Sequence, residues 1–133
     1  MKTKKFKVIV YAISKNEEKF VSRWVESMKE ADEIIVLDTG SDDNTVKKLQ
    51  ELGVTVKEEI IYPFRFDIAR NKSLALVPQD TDICVCTDLD EVFEKGWRDN
   101  LESIWKENIT RLAYNYNWKL DKDNKPLVNF YIE

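Results

Sequence analysis

The chain has 133 residues, 43% of them hydrophobic, which suits one domain with a real core. Charged residues make up 35%, mixed in sign, and the formal net charge of −4 argues against a nucleic-acid partner, which would need a basic face. With no His and only Cys84 and Cys86, zinc chemistry is excluded too. The basic start, Lys2, Lys4, Lys5 and Lys7, reads as a solvated tail, and Phe6 to Ile13 reads as a buried strand. Phe20, Val21, Trp24, Val25 and Met28 recur at helical spacing, which predicts a helix from Glu17 to about Ala31. Glu33 to Asp38 is a second strand. The polar run Thr39 to Asn44 breaks it and supplies N-cap candidates. The next helix turns Val46, Leu49 and Leu52 inward and stops at Gly53. Val54 to Ile60 is a third strand. After Pro63 and two phenylalanines, Asp67 to about Val77 is helical, with Pro78 behind it. Asp82 to Asp88 is a fourth strand, and Trp97, Leu101, Ile104 and Trp105 mark another helix. From Arg111 to Leu120 the residues Leu112, Tyr114, Tyr116, Trp118 and Leu120 alternate with smaller or polar ones, which predicts a half-buried strand with an aromatic face. Asp121 to Lys125 is a turn, and Leu127 to Ile132 returns as a hairpin arm.

Strands alternating with helices imply βαβ units and a mostly parallel sheet, and continuous apolar strands imply cover on both faces. Ligands of open α/β sheets bind at the carboxyl ends of the strands. Those ends carry Lys15-Asn16-Glu17, Asp38 to Asp43, and Asp88 to Glu91. Asp88 and Asp90, two residues apart on an extended backbone, point to the same side and repel unless a cation sits between them. Mg²⁺ or Mn²⁺ suits such a pair and commonly bridges one or two carboxylates to a substrate phosphate. An acidic surface loop is the plainer reading. Cys84 and Cys86 share one face of an apolar run, where free Cys is a small buried hydrophobe, and their positions suit a disulfide poorly. The sequence has no signal-peptide pattern and no membrane-length apolar run, so the expected setting is a reducing cytoplasm, with any membrane association peripheral.

Four local motifs stand in order: Ser14-Lys15-Asn16-Glu17-Glu18, then Asp38-Thr39-Gly40-Ser41-Asp42-Asp43-Asn44-Thr45, then Phe66-Asp67-Ile68-Ala69-Arg70-Asn71 at the start of a helix, then Asp88-Leu89-Asp90-Glu91. Together, from about Ile13 to about Glu91, they resemble the family 2 glycosyltransferases with the GT-A fold. That family shows "KNE", "D-x-G-S-x-D-x-T", "A-R-N" and "D-x-D" at comparable spacing. The resemblance implies a Rossmann-like GT-A domain over residues 1–133: a mostly parallel sheet flanked by helices, with a C-terminal β-hairpin. It implies transfer of a sugar from a nucleotide-diphosphate donor, a UDP-sugar by preference, to a hydroxyl of a saccharide or lipid-linked acceptor. A Mn or Mg ion would stabilise the leaving diphosphate. By the same resemblance Asp90 is a direct metal ligand, and Asp88 shares the cation or holds the ribose. Asp38 meets the base, and Arg70 the base or the diphosphate. Asn16 and Glu17 line the pocket, and Gly40 and Ser41 turn the backbone ahead of a helix. The plainer alternatives are caps for Asp38 and Ser41, a surface ion pair with Asp67 or a neighbouring acid for Arg70, and a solvent-facing Lys15.

The family's general base lies well downstream of "D-x-D", and this chain stops at Glu133 within a strand-like run. The expectation is a donor-binding half, or a truncated piece, that binds nucleotide and metal but turns over little. Self-association is expected if the aromatic hairpin is exposed. Three rival readings carry different chemistry. A haloacid-dehalogenase-like phosphatase would use Asp88 as nucleophile, but Glu91-Val92 follows where Thr is expected. A receiver-like signalling module would need paired acids after the first strand, where Lys15-Asn16-Glu17 stands. The third is a nucleotide-binding module without catalysis.

Overall fold

The computed structural model describes residues 6–105, 112–114 and 130–132. Its contacts divide the chain into two units, Met1–Glu91 and Val92–Glu133.

In the first unit β1 (Val8–Ser14) is buried at every position, as an apolar run between two hydrogen-bonded neighbours must be. Helix α1 (Glu18–Met28) turns Val21, Trp24, Val25 and Met28 inward. Burial of each such side chain stabilises by roughly 1.5–3 kcal/mol. Then come β2 (Glu33–Asp38), α2 (Thr45–Glu51), β3 (Thr55–Glu58), α3 (Phe66–Ala75) and β4 (Ile83–Cys86). The strands form one sheet in the order β3-β2-β1-β4, and every pairing is parallel. The chain builds outward from β1 through β2 to β3, then returns through α3 to place β4 on β1's other side. That reversal makes the β1–β4 border the topological switch point, where the carboxyl ends leave a crevice.

Registered partners share a sheet face, so Val8, Val10, Ile83 and Val85 lie together, and Ile9, Tyr11, Cys84 and Cys86 lie on the other side. Across the second face Ile13 and Leu37 meet Ala69 of α3, with Ile61 and Leu76 packed against them. On the first, the Trp24 indole N–H donates to Thr87 Oγ1 at 2.9 Å, tying α1 to the residue that follows β4.

The structure corrects several expectations. β2 keeps its expected bounds, whereas β3 and β4 are shorter than the hydrophobic pattern suggests, although Asp82 and Thr87, flanking β4, still donate backbone N–H groups to the Lys7 and Tyr11 carbonyls. Leu52 is 42% exposed instead of inward, since α2 ends at Glu51 and the chain turns at Gly53. Cys84 is exposed and Cys86 only half-buried, because Ile83 and Val85 take the covered face of this outer strand. Full cover therefore holds for β1 but not for the outer strands; β3 is largely exposed too.

In the second unit, α4 (Trp97–Ile104) follows Gly96, whose φ of +89° starts the helix. Phe93 and Trp97 meet edge to face at 5.2 Å, and Arg98 pairs with Glu102 one turn on. The short strands β5 (Leu112–Tyr114) and β6 (Phe130–Ile132) pair antiparallel, as the hairpin reading requires. The expected aromatic face, the turn at Asp121 to Lys125 and the basic start at Lys2 to Lys5 lie outside the described residues.

Candidate functional site

The loops after β1 and β2 are sewn together by side chains. Asp38, with no exposed surface, takes hydrogen bonds from four donors. Ser14 Oγ and Ser41 Oγ donate to Oδ1 at 2.7 and 2.6 Å. The backbone N–H groups of Gly40 and Ser41 donate to Oδ2 at 3.1 and 2.8 Å. Gly40 reaches this geometry with φ +114°, a region that side chains with a Cβ rarely enter. Across the seam the Asn16 N–H donates to Ser41 Oγ at 2.8 Å, and the Asp42 N–H donates to Asn16 Oδ1 at 2.7 Å. Asn16 adopts φ +52°, which Asn tolerates better than most residues. One step on, the Glu17 N–H donates to Thr45 Oγ1 at 3.0 Å, and that hydroxyl donates in turn to Asp43.

This seam aims Lys15 and Glu17 into a cleft of about 460 Å³, lined also by Ile13, Ser14, Thr39, Phe64, Phe66, Asp88 and Asp90. The volume lies within the range of small-molecule sites. The acids reach it by a turn. β4 ends at Cys86, the Glu91 N–H donates to the Asp88 carbonyl at 3.0 Å, and the Asp88 N–H donates to Glu91 Oε1 at 2.7 Å. Leu89 is buried between the two aspartates and pins the turn, leaving both carboxylates outside. The expectation of one shared side thus holds, though by a turn and not by a continuing strand.

Arg70, on α3, does not pair with Asp67, which Arg65 takes at 2.7 Å. Its Nη2 donates to Asp88 at 3.0 Å and its Nη1 to Cys86 Sγ at 3.0 Å. Burial, the largest single influence, lowers the Arg70 guanidinium, but the bond to Asp88 together with the electrostatics of Cys86, Asp88 and Tyr11 outweighs it and raises the group. Burial likewise pushes the Cys86 thiol up and the Tyr11 phenol to about 12, so neither ionises near neutrality. Glu17 is held above its ordinary range, first by burial; a backbone bond at Lys15 opposes this, and the charges of Asp90, Asp88 and Asp38 add to it.

Of the residues singled out from the sequence, Glu17, Asp88 and Asp90 meet in the cleft, and Arg70 joins through Asp88. Asn16, Asp38 and Ser41 sit in the seam behind it. Lys15, expected to face solvent, is exposed but stands at the cleft's rim, and Thr39, Phe64 and Phe66 were not anticipated there. Thr39 occupies the variable place in "D-x-G-S", which carries no signal of its own. Among the described residues no three Cys, Asp or Glu side chains gather closely enough to cage a metal. The donor set therefore suits a cation shared with a ligand's phosphates, held by Asp88 and Asp90, and not a metal enclosed by protein. No helix among the described residues is long and apolar enough to cross a membrane.

A parallel α/β sheet with an acidic turn and a polar cleft at its carboxyl edge defines a class of ligand-binding domain. Within that class the chain belongs to glycosyl transferase family 2, whose family model matches residues 9–121. It is 34% identical to an uncharacterized glycosyltransferase of Rickettsia bellii (strain RML369-C) over 81% of this chain and 36% of that protein. It is 32% identical to another from Rickettsia conorii (strain ATCC VR-613 / Malish 7), over 90% and 43%. The chain thus spans well under half the length of these curated relatives.

Among solved structures it resembles glucosyl-3-phosphoglycerate synthase from Mycobacterium tuberculosis in complex with Mn²⁺, UDP and glucosyl-3-phosphoglycerate. The TM-score is 0.54 at 27% identity, over 63% of this chain and 33% of that one. The mannosyltransferase of Pyrobaculum calidifontis, in complex with GDP-Man and Mn²⁺, shares the fold with a TM-score of 0.60 at 24% identity, over 74% and 31%. These neighbours are glycosyltransferases of the GT-A fold, so the fold class expected from the motifs stands. Family membership also sets aside the phosphatase and receiver readings.

Proposed function

We propose that this chain is the donor-binding half of a metal-dependent, inverting glycosyltransferase that takes its sugar from a nucleotide diphosphate, UDP by preference. The observation that carries the reading is the pair of exposed carboxylates, Asp88 and Asp90, turned into one cleft at the switch point with Arg70 on Asp88. Asp90 would hold a Mn²⁺ or Mg²⁺ ion, with Asp88 sharing it or binding the ribose; when bound, the ion supplies Lewis-acid stabilisation of the departing diphosphate. Arg70, already charged and half-buried, is placed to exchange Asp88 for a phosphate oxygen, which a guanidinium matches in geometry. Glu17 closes the polar side of the cleft. The seam of Asn16, Asp38 and Ser41 keeps that side in place, so contact between Asp38 and the base would require the seam to open. The synthase neighbour that carries Mn²⁺ and UDP supports the choice of ligands. The acceptor in this reading is a saccharide or a lipid-linked one, and no described residue is assigned as its general base. The setting is the cytoplasm, with peripheral membrane contact for a lipid-linked acceptor.

Calorimetric titration with UDP and with GDP, with and without Mn²⁺, tests the reading. Binding should require the metal, favour UDP, and fall at least about ten-fold in Asp90→Ala. Metal-independent binding, or an Asp90→Ala variant that binds like the wild type, refutes it.

A further inference from the structure

We propose that Phe64 and Phe66 form an aromatic wall on which the nucleobase of the donor stacks; this deepens, and rests on, the donor-site reading above. Both line the same cleft as Asp88 and Asp90. Both are large apolar side chains left in water, 48% and 63% exposed, so their ring surface is not used by the core. They meet each other edge to face, centroids 5.6 Å apart and planes at 79°, which fixes one ring against the other while leaving surface open. A flat group stacked on one ring therefore meets the other edge-on, a corner fitted to a planar ligand.

The wall is joined to the acids. The Arg70 guanidinium carbon lies 5.8 Å from the Phe66 centroid, while the same group bonds Asp88. A ligand with its diphosphate at Asp88 and Asp90 would thus have the rings beside it. Of the donor's two ends, the sugar can lay a C–H face on an aromatic ring but also needs polar partners around its rim, which the two Phe side chains do not supply. The base is planar with an extended π face, which is what Phe binds. Ile13, also lining the cleft, adds an apolar neighbour. Two more exposed side chains on the same connection, Ile60 at 78% and Tyr62 at 93%, do not line the cleft and serve as internal controls.

The test compares a ligand with a base and one without: UDP with Mn²⁺, and inorganic pyrophosphate with Mn²⁺, titrated into the full chain. The double variant Phe64→Ala/Phe66→Ala should lose about ten-fold or more in UDP affinity while pyrophosphate binding stays within about two-fold. Phe64→Tyr/Phe66→Tyr, which keeps both rings, should retain UDP binding, and Tyr62→Ala should bind both ligands as the wild type does. Unchanged UDP affinity in the double Ala variant overturns the proposal. So does an equal loss for pyrophosphate, or the same loss in Tyr62→Ala. A wild-type chain that binds pyrophosphate as tightly as UDP refutes the stacking and leaves the donor site standing. One that binds neither refutes the donor site, and the stacking with it.

Discussion

Replacing Asp38 separates what its charge contributes from what its shape contributes. In Asp38→Ala, Ser14 Oγ, Ser41 Oγ and the N–H groups of Gly40 and Ser41 all lose their fully buried acceptor. The two hydroxyls can rotate, but the two backbone donors cannot. At roughly 1–3 kcal/mol for each of the two stranded backbone donors, the loss comes to about 2–6 kcal/mol, which spans the roughly 3–5 kcal/mol seen when one partner of a buried charged pair is deleted. Asp38→Asn differs: its oxygen can keep the two N–H groups while its amide donates to the two hydroxyls. It loses mainly the charge assistance, about 1–2 kcal/mol. Urea denaturation monitored by far-UV circular dichroism measures both. The expected order is wild type, then Asn, then Ala, with the Ala midpoint lowered far enough to threaten a domain holding about 5–15 kcal/mol in all. Equal midpoints for Ala and wild type, or Asn as costly as Ala, would refute the assignment of this carboxylate to the seam.

Two further outcomes can be checked the same way. Glu17 is raised above its ordinary value of 4.5, so it favours the folded state only while protonated, and that contribution fades as pH rises through its folded value. Glu17→Gln should therefore be more stable than the wild type near neutral pH and show no gain below pH 4.5; a gain that is the same at both refutes the burial argument. Gly40→Ala should cost about 1–2 kcal/mol through its backbone, since the added Cβ meets Ile60 at an ordinary 3.5 Å, and a thermal midpoint equal to the wild type would contradict this.

The alternation of strand and helix was legible because β1 and β2 are apolar enough to read directly, and because Val21, Trp24, Val25 and Met28 keep helical spacing. Three of the four motifs were legible as strand ends and the third in order, with Arg70, as a helix start, and Arg70 does reach the strand ends through Asp88. Which face each residue takes was not. Cys84 and Cys86 have the same period as Ile83 and Val85, so only the outer position of β4 decides that the cysteines face out. The division of labour within the motifs was hidden for a related reason. Asn16, Asp38 and Ser41 are polar residues suited to ligands, yet they bond one another and their neighbours Ser14 and Asp42, with the bonds across the seam spanning 24 to 26 residues of chain. Phe64 and Phe66 look like core residues by composition, and nothing in the spacing after Pro63 tells that they stay in water.

The bond from Trp24 to Thr87 joins residues 63 apart, and that span orders events as the chain folds. β1, α1, β2, α2 and β3 succeed one another locally and can assemble first. β4 must cross back over all of them to reach β1, a long closure that is slow and entropically costly. Assembly in that order would put Glu17 and Thr39 in position before Asp88 and Asp90 arrive. A metal–nucleotide complex that needs both sides cannot form on the partial sheet. If the proposed donor binds there, it would do so only once β4 has docked, and by mass action it would hold that last step closed. In a cell rich in nucleotide sugars, the proposed donor would then finish and guard the fold.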